Sequence, residues 1–430
     1  KQAPVPAAEP PKPFSPENAY VVYLIEETPT AGIRLAALGE ALGDWDSLRQ
    51  QYGPPPQDEP LALLAPAFSG SAAGLAHFIA SHELWRKYPL EIISGRATST
   101  DVAQALRTAR RSGPQVRFHS TVHSDEDMQE AMFSFLVDRL GADCRKIALI
   151  VESSTPYGNA TYQQDRSLHR GRIRRSHACP PRLLPVPSDL PRLQAEWERK
   201  KNTTQTPSAA TYEELAKNSL ERQRDDSRRT GMLPLFSKET LSERDLSLSA
   251  LLSTLYQEGI RYVGLMMTDA SDKIFLAQRI SANCPDARLF TFESELSLVH
   301  PQDLAYTRGM LVASTYPLFT RNQQWTYPYS GAMQRLQFAS QADQGVYNAA
   351  LLLLGHPEHL LEYAAPFAPF ERWESYAKLW RCTRPSAQDP LCLAKPPVWI
   401  SAVGRSALVP LEVSAPSDDD FVADLKCAVR

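Results

Sequence analysis

The sequence predicts an α/β fold with two lobes, each built on a parallel sheet that helices cover on both faces. Short apolar runs rich in β-branched and aromatic residues alternate with segments of helical periodicity, which is the pattern of β-α-β units. Two separate runs of this kind occur, and a charged segment at 196–244 lies between them. Two runs predict two lobes, and the charged segment is expected to be an exposed insertion.

The predicted strands are short and apolar, as buried strands of a parallel sheet are. They are expected at 19–26, 61–67, Leu90–Ser94, 146–151, 262–267 and Arg288–Phe292. Helices are expected between them, at 32–42, 72–88, 125–140, 245–258 and 272–282. The helix at 125–140 has the clearest signals, because acidic residues open it, Met128 and Met132 lie on one apolar face, and Gly141 follows its end.

The composition excludes several classes of protein. The 430 residues are 43% hydrophobic and 22% charged, close to the averages of globular proteins. Forty-six basic and 49 acidic residues give a formal net charge of −3, without the positive excess of a nucleic-acid-binding protein. No apolar run reaches the roughly 18 residues of a membrane-spanning helix. The sequence therefore predicts no nucleic-acid partner and no membrane span.

The first 16 residues contain six prolines, and the chain starts at Lys1. Proline-rich segments stay extended, so we expect 1–15 to be a tether that holds the folded part away from whatever precedes it. We expect an extracytoplasmic protein whose signal peptide or membrane anchor is absent from this chain. A cytosolic protein with a flexible end is the alternative.

The six cysteines show neither a Cys-x-x-Cys pair nor a histidine at ligand spacing, so no metal site is predicted. Cys382 and Cys392 bracket a short loop that contains Pro385 and Pro390. We predict that they form a disulfide, which would fit an oxidising compartment. Two unrelated thiols are the alternative.

No motif of a known enzyme class is present. The chain lacks a G-x-G-x-x-G loop after a strand, a Walker A loop and a G-x-S-x-G elbow, and its nine histidines are scattered. We therefore predict a protein without catalytic residues and without a cofactor.

The loops that follow the predicted strands carry the candidate binding residues. In open α/β sheets, ligands bind beyond the carboxyl ends of the strands, where helix N-termini present backbone N–H groups. The candidates in four such loops are Ser69, Ser71, Ala97, Thr98, Tyr157 and Asp269. Small hydroxyl residues suit a carboxylate, the tyrosine offers an aromatic face, and the acid suits an ammonium group. Each loop, taken singly, is also explained as a helix N-cap.

Three segments of the chain occur in the order found in one known family. ISGRATS at 93–99 ends a strand with Ala-Thr-Ser, RFHSTVHSD at 117–125 leads into a helix, and Tyr157-Gly158 follows the next strand. The chain resembles the branched-chain amino acid-binding proteins and related receptor ligand-binding domains, which have the type I periplasmic-binding fold. The resemblance covers most of 19–355.

The resemblance implies two Rossmann-like lobes, joined by three interlobe crossings, that close on a ligand like a hinged clamp. Lobe one would comprise 16–118 and 296–339, and lobe two 119–295 and 340–430. A serine of the first loop, Ser69 or Ser71, would hold the ligand's carboxylate and amine together with Ala97 and Thr98. Tyr157 would pack on the ligand, and Asp269 would pair with the amine.

The chain departs from the family pattern at the 196–244 insertion, at Arg96 beside the Ala-Thr pair, and in a long C-terminal region. The insertion falls where the family usually supplies another pocket residue. If Arg96 and Asp269 both reach the cleft, they favour a zwitterion over a neutral sugar. Otherwise Asp269 caps a helix and Arg96 lies in solvent.

The function predicted from the sequence is extracytoplasmic capture of a small, amino acid-like ligand, without catalysis. The resemblance adds a membrane transporter or a receptor as a partner. Two other hypotheses stay open, a ligand-free scaffold that acts through protein contacts at 196–244, and an enzyme that uses the interlobe cleft.

Overall fold

The computed structural model describes residues 21–28, 32–52, 61–83, 85, 89–107, 109, 116–152, 181–186, 190, 241–319, 337–354, 360 and 398–414. These residues form a three-stranded sheet, a seven-stranded sheet and a two-stranded hairpin, with helices packed against the two larger sheets. The predicted α/β class with mostly parallel sheets is confirmed. Segment 196–244, Tyr157, Cys382 and Cys392 lie outside the described residues.

The strands are β1 (Glu27–Thr28), β2 (Gly32–Ile33), β3 (Leu61–Leu64), β4 (Leu90–Ser94), β5 (Val116–Ser120), β6 (Ile147–Glu152), β7 (Arg182–Val186), β8 (Tyr262–Met266), β9 (Arg288–Phe292), β10 (Leu311–Ser314), β11 (Val398–Val403) and β12 (Leu408–Ser414). The α-helices are α1 (Leu35–Tyr52), α2 (Ala72–Ser81), α3 (Thr100–Arg107), α4 (Asp125–Ser134), α5 (Leu241–Gln257), α6 (Ala270–Asn283), α7 (Leu304–Thr307) and α8 (Gln341–Leu353). A π-helical turn, Phe135–Arg139, continues α4.

The first sheet is parallel, with the strand order β3-β4-β5. Parallel neighbours need a crossover connection, and α2 and α3 supply it. Leu75 and Ile79 of α2 pack with Leu90 and Ile92 of β4 in one core that excludes water from all four side chains. The carboxyl ends of β3 and β4 therefore lie side by side at one edge of this sheet.

The second sheet has the strand order β12-β11-β10-β9-β8-β6-β7. Strands β6 to β10 pair in parallel, whereas β11 and β12 add an antiparallel edge. Apolar cores cover both faces, one with α5 and α6 and the other with α4. Because both faces are covered, every residue of strand β6, which has a neighbour on each side, is buried.

Helix α4 begins where the sequence predicts it. Ser124 accepts a hydrogen bond from the Asp127 N–H (3.1 Å), and Asp127 accepts one from the Ser124 N–H (3.2 Å), which completes a capping box. Met128 and Met132 are buried against the second sheet, as their spacing predicts. Gly141 adopts a φ of +64° shortly after the π-helical turn, which fits a helix stop.

The predicted strand at 19–26 is wrong over the residues that the structure describes. Residues 21–26 form no strand, and Val21, Val22 and Leu24 are exposed. Among the described residues of this segment only Ile25 joins the apolar core of the first sheet. A strand needs a partner, and β3 pairs directly with β4 instead.

Two elements pack with a different sheet from the one expected for their predicted lobe. Strand β10, expected in lobe one, pairs with β9 and β11 in the second sheet. Helix α8, expected in lobe two, packs on β3 and β4 of the first sheet. The chain thus passes from the first sheet to the second at 120–125, returns to the first between β10 and α8, and leaves it again before β11.

Buried hydrogen bonds join the two sheets where the chain passes between them. The Thr121 hydroxyl donates to the carbonyl of Gly345 (2.8 Å), and the His123 N–H donates to the Thr315 hydroxyl (2.8 Å). The Tyr316 hydroxyl donates to the Thr121 carbonyl. All these contacts exclude water, so this junction fixes the carboxyl ends of both sheets relative to each other.

Candidate functional site

The predicted serine and threonine loops meet at the carboxyl ends of β3 and β4. The Ser69 hydroxyl accepts hydrogen bonds from the N–H groups of Thr98 (3.3 Å) and Ser99 (3.1 Å). Ser71 and Thr98 are buried, with 3% and 4% of their surface exposed. The structure therefore brings Ser69 and Thr98 together as expected, and their contact with a ligand stays a prediction.

Ala97 lies beside this contact, and its backbone is fixed by a hydrogen bond to Ser94. Its N–H donates to the Ser94 hydroxyl (3.0 Å), and that hydroxyl donates to the Pro66 carbonyl (2.7 Å). Ala97 itself is buried in the core of the first sheet. Its backbone position is thus set by β4 and by the loop after β3.

The loop after β3 is held by Glu27, which the sequence analysis did not single out. Its carboxylate accepts hydrogen bonds from the N–H groups of Ala67 (2.9 Å) and Phe68 (2.8 Å). Forty residues separate these groups, so no local pattern in the sequence could have indicated the contact. Glu27 therefore accepts the hydrogen bonds of two backbone amides beyond the carboxyl end of β3.

Asp125 links the first sheet to helix α4. Its N–H donates to the Thr98 carbonyl (2.8 Å), and its carboxylate accepts a hydrogen bond from the Thr98 side chain. The residue is 4% exposed, and its Oδ1 has no hydrogen-bond partner. Burial raises the pKa of Asp125 well above its usual range, the Thr98 hydrogen bond opposes the shift, and the negative charge of Glu293 adds to it.

Lys273 is the buried cation on the second sheet's side. It is 1% exposed, and its Nζ donates to Glu295 Oε1 (2.6 Å) and to the Phe292 carbonyl (3.2 Å). Burial opposes the charge, but the carboxylates of Glu295 and Glu293 outweigh it and raise the pKa of Lys273. Lys273 therefore stays protonated at neutral pH.

Glu293 directly follows β9 and lies between the two sheets. Its backbone adopts a φ of +65°, which is uncommon for a residue with a side chain and is found at functional sites more often than elsewhere. Burial raises the pKa of Glu293, Lys273 and Arg96 oppose the shift, and Glu295 adds to it. Glu293 thus receives the electrostatic influence of a cation from each side of the junction.

Arg96, which lies beside the Ala-Thr pair, contacts Phe68 and is electrostatically coupled to Glu293. Its guanidinium carbon lies 4.4 Å from the centre of the Phe68 ring, a cation–π contact, and the side chain is partly buried. Its charge also lowers the pKa of Glu293. Arg96 is therefore packed on Phe68 and electrostatically coupled to Glu293.

Asp269 has the structural role that the sequence analysis gave as its alternative. It is the N-cap of α6, and its Oδ1 accepts hydrogen bonds from the Ser271 N–H (2.8 Å) and hydroxyl (2.7 Å). The residue is exposed. Contact of Asp269 with an ammonium group stays a prediction.

Five charged side chains therefore gather where the carboxyl ends of the two sheets meet. This interlobe charge cluster consists of Arg96, Asp125, Lys273, Glu293 and Glu295. It contains two cations and three acids, and each member lies close enough to another to affect its pKa or to bond with it. The sequence analysis singled out only Arg96.

Asp125→Asn is expected to stabilise the protein at pH 8 by about 1–3 kcal/mol, because a neutral amide replaces a buried and incompletely bonded carboxylate. A raised pKa in the folded state means that the protonated form of Asp125 stabilises the fold. This stabilisation is present in full when the pH is below the pKa that Asp125 has in the unfolded chain. That contribution is lost as the pH rises through the folded pKa. The advantage of the variant should therefore grow with pH, as measured by urea unfolding at pH 5 and pH 8.

The matched control is Asp138→Asn, which changes an exposed carboxylate near the end of the same helix. We expect it to alter the free energy of unfolding by less than about 0.5 kcal/mol at either pH. A difference in stability between Asp125→Asn and the parent protein that stays constant or shrinks from pH 5 to pH 8 would show that Asp125 is ionised and well solvated in the folded protein.

The chain is similar to solved structures of solute-binding proteins. No protein-family model matches it, and no curated protein sequence matches it. A leucine-binding protein, LivK, from Thermotoga maritima has 11% identity and a TM-score of 0.44, over 90% of this chain and 86% of that one. A branched-chain amino acid ABC transporter structure from Thermus thermophilus with bound valine has 12% identity and a TM-score of 0.43, over 91% and 85%.

An extracellular ligand-binding receptor from Verminephrobacter eiseniae has 14% identity and a TM-score of 0.44, over 88% of this chain and 85% of that one. These structures belong to the class that the sequence resembles. Similarity of this degree identifies neither a ligand nor an activity.

Two further findings concern the described part of the chain. No helix in it combines the length and the apolar character that a bilayer crossing needs. Within the same residues, no group of three or more histidine, cysteine or acidic side chains is arranged to hold a metal ion.

Proposed function

We propose that the protein is a non-catalytic, extracytoplasmic binding protein that captures a small polar ligand with an ammonium group between its two sheets. The interlobe charge cluster is the observation that carries this proposal. Ligands of open α/β sheets bind beyond the carboxyl ends of the strands, and the cluster lies where the two sets of carboxyl ends meet. Charges buried at such a place cost stability, which is typical of binding sites.

The predicted contacts in the neighbouring loops belong to this proposal. They are Ser69, Ser71, Ala97, Thr98, Tyr157 and Asp269. Thr98 supports the proposal best, because it bonds to Asp125 and so connects the loop of the first sheet with the cluster.

A binding role suits the two cations of the cluster better than acid–base catalysis. The pKa of Lys273 is raised and Arg96 is an arginine, so both cations keep their protons at neutral pH. A general acid or base needs a pKa near the working pH. Fixed cations paired with carboxylates position a ligand and do not exchange protons with it.

The disulfide bond of Cys144 supports the proposed extracytoplasmic location. Disulfides persist in oxidising compartments and are rare in the cytosol. A membrane transporter or a signalling receptor is the partner that fits capture outside the cytoplasm.

A thermal-shift screen tests the proposal. A ligand present at 100 times its Kd is expected to stabilise the fold by about 2.7 kcal/mol. The screen compares primary amines, amino acids, carboxylic acids and neutral sugars at pH 7.5, and neutral sugars are the control class. Absence of any shift with the charged compounds would contradict a ligand-binding function.

The alternative is a ligand-free scaffold, and one observation favours it. Several loop groups that could bind a ligand are already bonded to the protein itself, such as the amides held by Glu27 and by Ser69. A scaffold predicts that no compound in the screen raises the melting temperature. The same experiment therefore separates the two functions.

A further inference from the structure

The backbone amides that we expected to bind a carboxylate are occupied by the protein's own side chains. The Glu27 carboxylate accepts hydrogen bonds from the amides of Ala67 and Phe68 at the end of β3. The Ser69 hydroxyl accepts hydrogen bonds from the amides of Thr98 and Ser99 at the end of β4. A ligand carboxylate would have to displace these contacts to reach the same donors.

The helix N-termini on the second sheet's side are occupied in the same way. The Ser124 hydroxyl and the Asp127 carboxylate complete a capping box at α4. Asp269 caps α6 and brings a further negative charge to that end. Both helix ends already hold the carboxylate that their partial positive charge favours.

The two cations of the interlobe charge cluster are matched by the protein's own acids. Lys273 donates to Glu295 and to a backbone carbonyl. Arg96 stacks on Phe68 and influences Glu293 across the junction. Two cations against three acids leave the cluster one negative charge in excess when all are ionised.

The carboxylates of Asp125 and Glu293, in contrast, have oxygen atoms that accept no hydrogen bond from the described residues. Asp125 is 96% buried, since 4% of its surface is exposed, and its Oδ1 accepts no hydrogen bond. Glu293 is near enough to raise the pKa of Asp125 through its negative charge. Within the described residues, no side chain or backbone group donates a hydrogen bond to the Glu293 carboxylate. A buried acceptor without a donor destabilises the folded protein, and a ligand that donates a hydrogen bond to it removes that cost.

We propose that the ligand of this site is a small organic cation that carries an ammonium group and no carboxylate, held between Asp125 and Glu293. The inference rests on the proposed function and narrows its ligand class. The ammonium group supplies donors to both acids and offsets their mutual repulsion. A zwitterion would place its carboxylate beside two acids and find the amides of the neighbouring loops already bonded.

The test uses two series of compounds that share an apolar group and differ in charge, because the amine lacks the carboxylate of the amino acid and the acid lacks its amine. The first is 3-methylbutylamine, leucine and 4-methylpentanoate, and the second is phenethylamine, phenylalanine and 3-phenylpropanoate. Binding of each compound to the full chain is measured by thermal shift and by calorimetry at pH 7.5. We expect an amine to bind at least about 10-fold more tightly than the amino acid of its series.

The outcomes separate the two proposals. Tighter binding of an amino acid overturns the inference and leaves the proposed binding function intact. Tighter binding of a carboxylate overturns the inference together with the proposed ammonium group of the ligand. No binding of any of the six compounds overturns the proposed function, and the inference falls with it.

Two variants locate the amine. Glu293→Gln and Asp125→Asn are each expected to weaken amine binding at least about 10-fold, with the melting temperature of the free protein confirming that each variant folds. Glu412→Gln is the control, because Glu412 pairs with Arg139 on the surface and is not a member of the cluster. Amine binding that survives both cluster substitutions unchanged would place the cation elsewhere and overturn the inference.

Discussion

Replacing Gly345 with alanine is expected to destabilise the protein by about 3 kcal/mol or more, as measured by urea unfolding. A Cβ atom at this position would lie 2.0 Å from the Gly95 carbonyl oxygen and 2.9 Å from Val122 Cγ1. The first of these neighbours is a backbone atom, so no change of rotamer can relieve the clash. Helix α8 would have to move away from the loop after β4.

A substitution at Gly95 disturbs the same close contact between the loop after β4 and helix α8. A Cβ atom there would lie 2.3 Å from the Val346 N atom, so Gly95→Ala is expected to cost as much as Gly345→Ala. The double variant should cost less than the sum, because both substitutions separate the same two segments. Gly74→Ala is the control, since no atom lies within 4 Å of the added Cβ and the residue is within α2. It is expected to stabilise the protein by about 0.5–1 kcal/mol.

Equal stability of Gly345→Ala and Gly74→Ala would mean that α8 does not pack on the first sheet. That result would remove the junction between the sheets, and with it the geometry of the interlobe charge cluster. The glycine pair thus tests the placement of the site as well as the stability of the fold.

Local elements of the fold could be predicted because their signals are local. Helix α4 has a capping box, a buried methionine face and a glycine at its end within 20 residues. The buried strands β4, β6, β8 and β9 were recognised as short apolar runs, since both faces of each sheet are covered. The periodicity of the sequence is enough for such elements.

The lobe to which an element belongs is decided by contacts that are distant in sequence. Leu311–Ser314 has the apolar composition of a buried strand, which would fit either lobe. Only its pairing with β9 and β11 places it in the second sheet. Helix α8 likewise has an apolar face that fits any sheet, and the close approach of Gly345 to Gly95 selects the first. The sequence contains both glycines but does not show that they meet.

The candidate site could be proposed from the sequence in its position but not in its composition. The rule that ligands bind beyond the carboxyl ends of strands identified the loops containing Ser69 and Thr98. Asp125 was interpreted as a helix-opening acid, and Glu293 had no motif around it. Lys273 did have a signal, because it lies at the helical spacing of Leu276, Ala277 and Ile280, all of which are buried. A charge at a core position of a helix indicates a buried partner, and that partner is Glu295.

Lys273→Met is expected to destabilise the protein by about 3 kcal/mol, because it removes one partner of a buried ion pair and leaves the carboxylates uncompensated. Lys273 is 1% exposed on its side chain and Glu295 is 17% exposed, so water can only partly replace the lost contact. Without the cation, burial of Glu293 is opposed less, and the pKa of Glu293 rises further in the folded protein. The folded state then holds protons more tightly, so the deficit of the variant should be smaller at pH 5 than at pH 8.

The double variant Lys273→Met, Glu295→Gln separates the ion pair from the packing of the lysine chain. Removal of both charges should recover at least about 1 kcal/mol of the loss, since no unpaired carboxylate of Glu295 remains. Arg139→Met is the control for an exposed ion pair, because Arg139 is 59% exposed and its pairing with Glu412 is worth less than about 1 kcal/mol. If Lys273→Met were no more destabilising than Arg139→Met, Lys273 would be solvated and not paired in the folded protein, and the interlobe charge cluster would lack one of its two cations.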